Sequence, residues 1–355
     1  DAHGFVPISP AEADSPRLPV LPAGVIDFPE TLRQTSLTMN IVTLRDGATG
    51  STAEIAVHVG FNCFSFRAGV GPRTVDVIAS APDFPQTGAR PSGNGAPLLF
   101  PFPNRIAQGK FQWEGRDYQV PTRSGMSHAI HGFSTDRPWR LLDHGPDFAT
   151  AEFQISRDAP DRRDCWPADG IIQATYRLRG TTLRLEVRVV NPDSRPLPFG
   201  FGTHTYFKLP LGPEGTAADC LVQAPAAEQW VLEDFIPTGE RRPVPPTADL
   251  RNGARFGDLK LDDVLTGLQP RDGRIECRLI DRKAGLEVAQ ICDAQYRELT
   301  AFTPSWTQAV CLEPYTCATD AINLQARGID AGWQALPPGG EWTSWIDIVA
   351  RPLEG

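Results

Sequence analysis

From Ser36 onward the chain alternates apolar and polar positions with a period of two, the repeat of strands that turn one face toward a core. Leu37, Met39, Ile41 and Thr43 share one such face, and in AEIAVHVGFNCFSF so do Ile55, Val57, Val59, Phe61 and Cys63. The alternation slips where Phe64 and Phe66 fall on the opposite side, which predicts a bulge or burial on both faces. TYRLRGTTLRLEVRVVN carries Tyr176 and Leu178 before a turn containing Gly180, and Leu183, Leu185, Val187 and Val189 after it, the pattern of a β-hairpin. Residues 271–303 contain no proline and could have held a helix. Instead RIECRLID, GLEVAQICD and RELTAFT alternate and predict three strands, and WTSWIDIVA predicts another. One short helix is expected, over residues 248–256 in ADLRNGARF.

Composition sharpens this picture. With 32 glycines and 34 prolines among 355 residues, long helices are not expected to dominate, because an interior proline costs a helix about 3 kcal/mol. Pro7, Pro10, Pro16, Pro19, Pro22 and Pro29 crowd residues 1–36 and predict an extended arm. No internal repeat, low-complexity tract or Gly/Ser linker divides the chain, so residues 1–355 read as one large all-β domain. It is an antiparallel sandwich too long for an immunoglobulin-type module, with few short helices. A net charge of -9 with no basic run longer than a pair excludes the electrostatic footprint of a nucleic-acid binder. No apolar, uncharged window is long enough to span a bilayer, and the first residues lack the basic and apolar regions of a signal peptide. Seven scattered cysteines with no C-x-x-C pair cannot complete a disulfide framework or a paired zinc site. They read as buried thiols in a reducing compartment, hence a cytoplasmic protein.

The chemistry concentrates in a few segments. His204 lies between glycines and aromatics in PFGFGTHTYFKLP, and His128 and His131 lie in SGMSHAIHGFSTDRPW. Two Gly-flanked, aromatic-rich histidine segments point to a functional site more than to solvated rings. The i, i+3 spacing of His128 and His131 would suit two metal ligands on a helix, but Gly125, Gly132 and Pro138 disfavour a helix and no carboxylate cluster completes a ligand set. No metal is expected. His58 falls on the polar side of its strand and is expected to be exposed. Glu313 follows an apolar run in QAVCLEPYT and precedes Pro314. It is either a partly desolvated base at a strand end, aimed by the proline, or an edge-strand surface residue. Arg105 in LLFPFPNRIAQGKF either orients a polar ligand or caps a loop. Trp139, Trp306 and Trp333 are core residues or apolar walls for a ligand. No dinucleotide, P-loop, G-x-S-x-G or H-E-x-x-H motif is present.

The ordered segments NRIAQGKF, HAIHGF, THTYFKL, LDDVLTGL, CLEPYTCATDAINL and LPPGGEW resemble the aldose 1-epimerase, or galactose mutarotase, family over about residues 95–345. The resemblance implies a large antiparallel β-supersandwich that interconverts the α and β anomers of a hexose by acid–base ring opening and reclosure, without a cofactor. It implies Glu313 as general base, His204 as general acid, and Arg105, His131 and Asp262 as substrate-holding residues. Asp262 and Asp263 are adjacent, and only one faces inward on a strand; Asp262 is the expected one. The chain departs from the family in having H-T-Y-F for H-P-Y-F, and Ser127-His128 upstream of H-G, which would give His128 a substrate hydroxyl. A related branch, hexose-6-phosphate 1-epimerase, often shows H-G-F-A-R. Here HGFSTDRPW has Thr135 at that arginine position and Arg137 two residues later. A non-catalytic carbohydrate-binding protein on the same scaffold would need the sugar contacts but not the acid–base pair. A glycosidase or lyase on a β-sandwich would instead need a carboxylate pair at a set separation. The expected partner is a small sugar, with monomer and homodimer both open.

Overall fold

A computed structural model describes residues 40–354. The expected arm over residues 1–36, together with Leu37 and Met39, lies outside the described residues. The period-two segments become strands, and their pairings are antiparallel. A nine-stranded sheet runs in the order Arg140–His144, Phe148–Gln154, Ile171–Arg179, Thr182–Val190, Glu341–Pro352, Leu286–Asp293, Arg274–Asp281, Leu221–Gln223 and Ala254–Arg255. An eight-stranded sheet runs Ile236–Pro243, Ala226–Glu233, Asp262–Leu268, Glu298–Phe302, Ala309–Tyr315, Gly202–Thr203 and Leu98–Leu99, and Thr205–Lys208 pairs with Ala309–Tyr315 beside that path. A four-stranded sheet, Ile41–Arg45, Thr52–Ala56, Asn62–Val70 and Arg73–Asp76, contributes Leu44, Ile55, Phe66 and Val75 to the same core.

That core lies between the sheets. Leu185, Val187, Val288, Ile346 and Ile348 on the larger sheet join Leu265, Leu299, Ala301, Val310 and Leu312 on the eight-stranded one. Each is one half of an alternating strand, so the other half of each strand of the smaller sheet is left facing outward. The outward half of the eight-stranded sheet is where the unusual residues stand.

The expected hairpin is present, with Ile171–Arg179 paired residue for residue against Thr182–Val190. The three strands read from residues 271–303 are present as well. Helix is confined to short pieces, the longest α-helix among the described residues being Ala321–Ala326. Three expectations need correction. AEIAVHVGFNCFSF is not one strand but two, joined by a turn over residues 57–61 in which Gly60 and Phe61 have φ of 66° and 51°. Alternation continues through the turn because Val57, Val59 and Phe61 are all buried in it. The predicted irregularity is a bulge: Glu54 pairs with Ser65 and Ile55 with Cys63, leaving Phe64 as the extra residue. Phe64 therefore packs in a small satellite cluster while Phe66 enters the main core.

His58, expected at the surface, is buried in that turn. Its Nε2 donates to the Pro85 carbonyl at 2.9 Å and its Nδ1 accepts from the Asn40 amide at 3.3 Å. Residues 248–256 do not form an α-helix. Gly253 takes φ 80° after a turn closed by Gly253 N donating to Leu250 O, and Ala254–Arg255 joins the large sheet. The apolar spacing there serves a turn whose Ala248 and Leu250 dip into the core.

Because Phe66 is fully buried in the main core, Phe66→Ala is expected to lower unfolding free energy by about 3–5 kcal/mol in urea titration. A loss below ~1 kcal/mol would show that the bulge directs the wrong ring inward.

Candidate functional site

The site is laid out by strand register. Gly202 pairs with Tyr315 and Thr205 with Leu312, which sets His204 opposite Glu313 and Thr203 opposite Pro314. On the other side, Thr300 pairs with Glu313 and Phe302 with Asp262. Alternation does the rest, because Leu312 and Leu299 point into the core while their neighbours Glu313, Thr300 and Phe302 share the outward face with His204 and Asp262. Pro314 has no N–H to give the ladder, and the neighbouring segment is broken at His204 between two short strands. The break frees the histidine backbone from strand geometry just where its ring meets the carboxylate.

Loops cover this face. Asn104, held at φ 52°, accepts the His131 amide on its carbonyl at 2.8 Å, and Arg105 pairs with Ile130 in a two-residue ladder. These contacts bring the N-R-I and H-G segments together. Asp320 pins them from behind: its amide donates to the Arg105 carbonyl at 2.8 Å, and its Oδ1 accepts the Ala107 amide at 2.9 Å. The Arg105 guanidinium donates to Asn104 Oδ1 at 3.1 Å and lies 4.7 Å over the Phe235 ring. His131 itself has φ 61°, and Gly132 after it has φ 66° with its α-carbon pressed against the Phe100 backbone.

Together these elements enclose a cavity of about 330 Å³, at the small end of ligand pockets. His204 Nε2 lies 3.3 Å from Glu313 Oε1 on its floor, and Glu313 is 1% exposed. The Tyr315 hydroxyl donates to Glu313 Oε2, which leaves Oε1 toward the histidine. Tyr206 stacks on the His204 ring at 4.7 Å and an interplanar angle of 7°, and its hydroxyl donates to the Ser92 carbonyl at 3.1 Å. His131 meets His204 edge to face at 5.4 Å.

Burial dominates the electrostatics. It pushes the His204 pKa down to about 3 and His131 well below the usual imidazole value. The same burial pushes Glu313 well above the usual carboxylate range, with the Tyr315 hydrogen bond opposing it, and raises Asp262 as well. Burial therefore makes the pair favour one proton, on the carboxyl, over two separated charges. One group of three among the described residues could hold a metal ion, namely His204, Cys311 and Glu313, with ligand atoms within 4.8 Å of one another. Burial pushes the Cys311 thiol far up, and a thiol must lose its proton to ligate, so this trio suits proton transfer better than metal.

Of the residues singled out from sequence, Arg105, His131, His204, Asp262 and Glu313 come together around the cavity. Asp262 lines it and Asp263 does not. Glu313 is not at a strand end but inside Ala309–Tyr315, buried on all sides. His128 is not brought in: its Nδ1 accepts the Gln108 amide at 3.0 Å and its Nε2 meets Asp234 at 3.1 Å, outside the cavity. Trp306, 48% exposed, stands at the rim, while Trp139 is a core residue and Trp333 packs against the core. Arg137 pairs with Asp161 at 2.8 Å, away from the cavity. Sequence reading passed over Arg90, Ser92 and Arg123, which carry no motif, and over Tyr206 and Tyr315, although both lie inside quoted segments two positions from the catalytic candidates.

The sequence matches the family model described as aldose 1-epimerase over residues 33–349. The uncharacterized protein YphB of Escherichia coli K12 is 29% identical over 70% of this chain and 81% of its own length. Galactose mutarotase of Sus scrofa is 32% identical over 43% of this chain and 44% of its own. Among solved structures, a galactose mutarotase-like protein from Clostridium acetobutylicum superposes with a TM-score of 0.75 at 20% identity, covering 89% of this chain and 99% of that one.

A Cβ on Gly132 would sit 2.2 Å from the Phe100 carbonyl oxygen. Gly132→Ala is thus expected to cost about 2 kcal/mol or more in urea unfolding and to shift the His131 ring resonances in NMR. An unchanged midpoint and unchanged resonances would rule out this close approach.

Proposed function

The chain belongs to the aldose 1-epimerase family and is an isomerase of that type, and from this premise we propose that it interconverts the α and β anomers of a hexose by opening and reclosing the ring. The observation that carries the proposal is the His204–Glu313 contact of 3.3 Å on the floor of a polar cavity. The hydroxyl on C1 and the ring oxygen are bonded to one carbon. An acid and a base acting on them must be close neighbours, as these two groups are.

Glu313 acts as the base and His204 as the acid. Sugar hydroxyls that bond to Glu313 stabilise its carboxylate, and the shared proton moves across the short contact to His204. Glu313 then takes the proton from the C1 hydroxyl while His204 gives one to the ring oxygen. The electron pair of the C1–O5 bond goes to O5, and the C1–O1 bond becomes a carbonyl. Rotation about C1–C2 presents the other carbonyl face, and the reverse transfers close the ring as the opposite anomer. Proton count is conserved throughout, so neither group needs exchange with solvent. The paired acid and base contribute about 10²–10⁴-fold each. Arg105, His131 and Asp262 hold the remaining hydroxyls, so that only the C1 end turns. No step calls for a cofactor. Six of the seven cysteines are buried and none is in a disulfide, which supports a cytoplasmic setting.

Glu313→Gln and His204→Asn are each expected to lower kcat by about 10²-fold or more with folding intact, while Arg105→Ala and Asp262→Ala act mainly through KM. Polarimetry of freshly dissolved α-glucose and α-galactose reads all four, and near-native rates in both of the first two variants would remove the catalytic assignment.

The pH profile tests the shared proton. A second proton enters only near the lowered His204 value of about 3, so kcat/KM, which reports the sugar-free enzyme, should stay level as pH falls through about 6.5, the ordinary histidine value. It should decline on the alkaline side, as pH rises through the raised Glu313 pKa and the pair loses its one proton. An acid limb near 6.5 would mean that the catalytic imidazole is solvated and the shared proton is wrong.

A further inference from the structure

Three arginines, Arg90, Arg105 and Arg123, line the cavity of a chain whose net charge is -9. The acids lining it are Asp262 and Glu313 alone. Among the described residues none of the three guanidiniums has a carboxylate within ion-pair distance, unlike Arg184, which pairs with Asp347, and Arg297, which pairs with Asp330. Arg105 is accounted for by the sugar-holding role proposed above. Arg90 and Arg123 are not.

Both converge on one short turn at the rim. Arg123 Nη1 donates to Ser92 Oγ at 3.3 Å, and Arg90, two residues before Ser92, lays its guanidinium 4.5 Å over the exposed Trp306 ring. The Ser92 carbonyl is in turn held by the Tyr206 hydroxyl, so the turn is tied to the ring that stacks on His204. Arg90 adopts φ 51°, a left-handed conformation that a non-glycine residue holds only under constraint from its surroundings. Stacking on an aromatic face leaves the edge of a guanidinium, with its fork of N–H donors, free for a planar or tetrahedral oxyanion. Uncompensated positive charge at the mouth of a low-dielectric cleft also concentrates anions there.

We propose that Arg90, Arg123 and Ser92 form an oxyanion subsite at the cavity rim, and that the preferred substrate is a monosaccharide carrying an anionic substituent, a carboxylate or a phosphate ester, beyond its reacting C1 end. This rests on the epimerase reading of the same cavity.

The test measures anomer exchange by NMR exchange spectroscopy for glucose, glucuronate and glucose 6-phosphate, with the native protein, R90Q/R123Q and, as a control for lost charge, R45Q/R157Q, whose side chains are exposed and outside the cavity. The native protein should show a kcat/KM at least tenfold higher for one or both anionic sugars than for glucose. R90Q/R123Q should erase that ratio and R45Q/R157Q should keep it. Higher salt should shrink the ratio as the rim charge is screened. Preference for glucuronate alone identifies a carboxylate site, and for glucose 6-phosphate alone a phosphate site. If glucose exchanges faster than both, or if R90Q/R123Q keeps the preference, the subsite is refuted while the epimerase reading stands. If no sugar exchanges faster than in buffer, the epimerase reading fails. Saturation-transfer NMR of the same three sugars then decides the subsite separately, an anion preference lost in R90Q/R123Q supporting it and equal binding refuting it.

Discussion

A carboxyl group in the middle of a buried strand is the constraint around which this protein is arranged. Glu313 sits between Leu312, which belongs to the core, and Pro314, with strands on both sides. An unpaired charge there would be prohibitive. The chain answers by setting His204 in the facing register position and Tyr315 on the second oxygen. Neither partner neutralises the group by ordinary ion pairing, since burial drives carboxyl and imidazole toward their uncharged forms together. The outcome is a pair that keeps one proton, on the carboxyl, beside a neutral imidazole. For a reaction that must donate and accept a proton and then do the reverse, this is the useful ionisation state.

Much of the architecture was legible in the sequence because sheets write their burial with a period of two. The hairpin around Gly180, the three strands of residues 271–303 and the long strand Glu341–Pro352 follow directly from alternation. Where the same rule failed, it failed for a physical reason. A turn that is itself buried continues the alternation without being a strand, as residues 57–61 do, and it carried His58 into the interior with it. The 248–256 segment misled in the opposite sense, since its apolar residues anchor a turn held by Gly253 in a conformation that ends helices.

The candidate site was legible where function forces unusual company onto a residue: a glutamate inside an apolar run, a histidine among glycines, an arginine after two prolines. Motif order added what no single segment contains, namely that these residues belong to one another. What stayed hidden are groups whose placement depends on long-range register. Tyr206 and Tyr315 read as strand aromatics, and only pairing shows them gripping the two halves of the proton-sharing pair. Arg90 and Arg123 lie on loops, and only the closed structure shows them at one rim. His128 illustrates the reverse case. Its sequence neighbourhood is as suggestive as that of His131, three residues away, yet backbone and side-chain partners hold it outside.

The strand Glu341–Pro352 follows every other strand in chain order and occupies the centre of the nine-stranded sheet, between Thr182–Val190 and Leu286–Asp293. During synthesis the two halves of that sheet are made first, each with a long, apolar open edge where the missing strand belongs. Such edges are templates for pairing with other chains. The nascent protein therefore passes through a vulnerable interval that ends only when its final strand leaves the ribosome and zips both halves together. Residues remote in sequence from most of the cavity-lining groups thus decide whether those groups ever meet, and chaperone demand should be set by that one strand more than by the cavity.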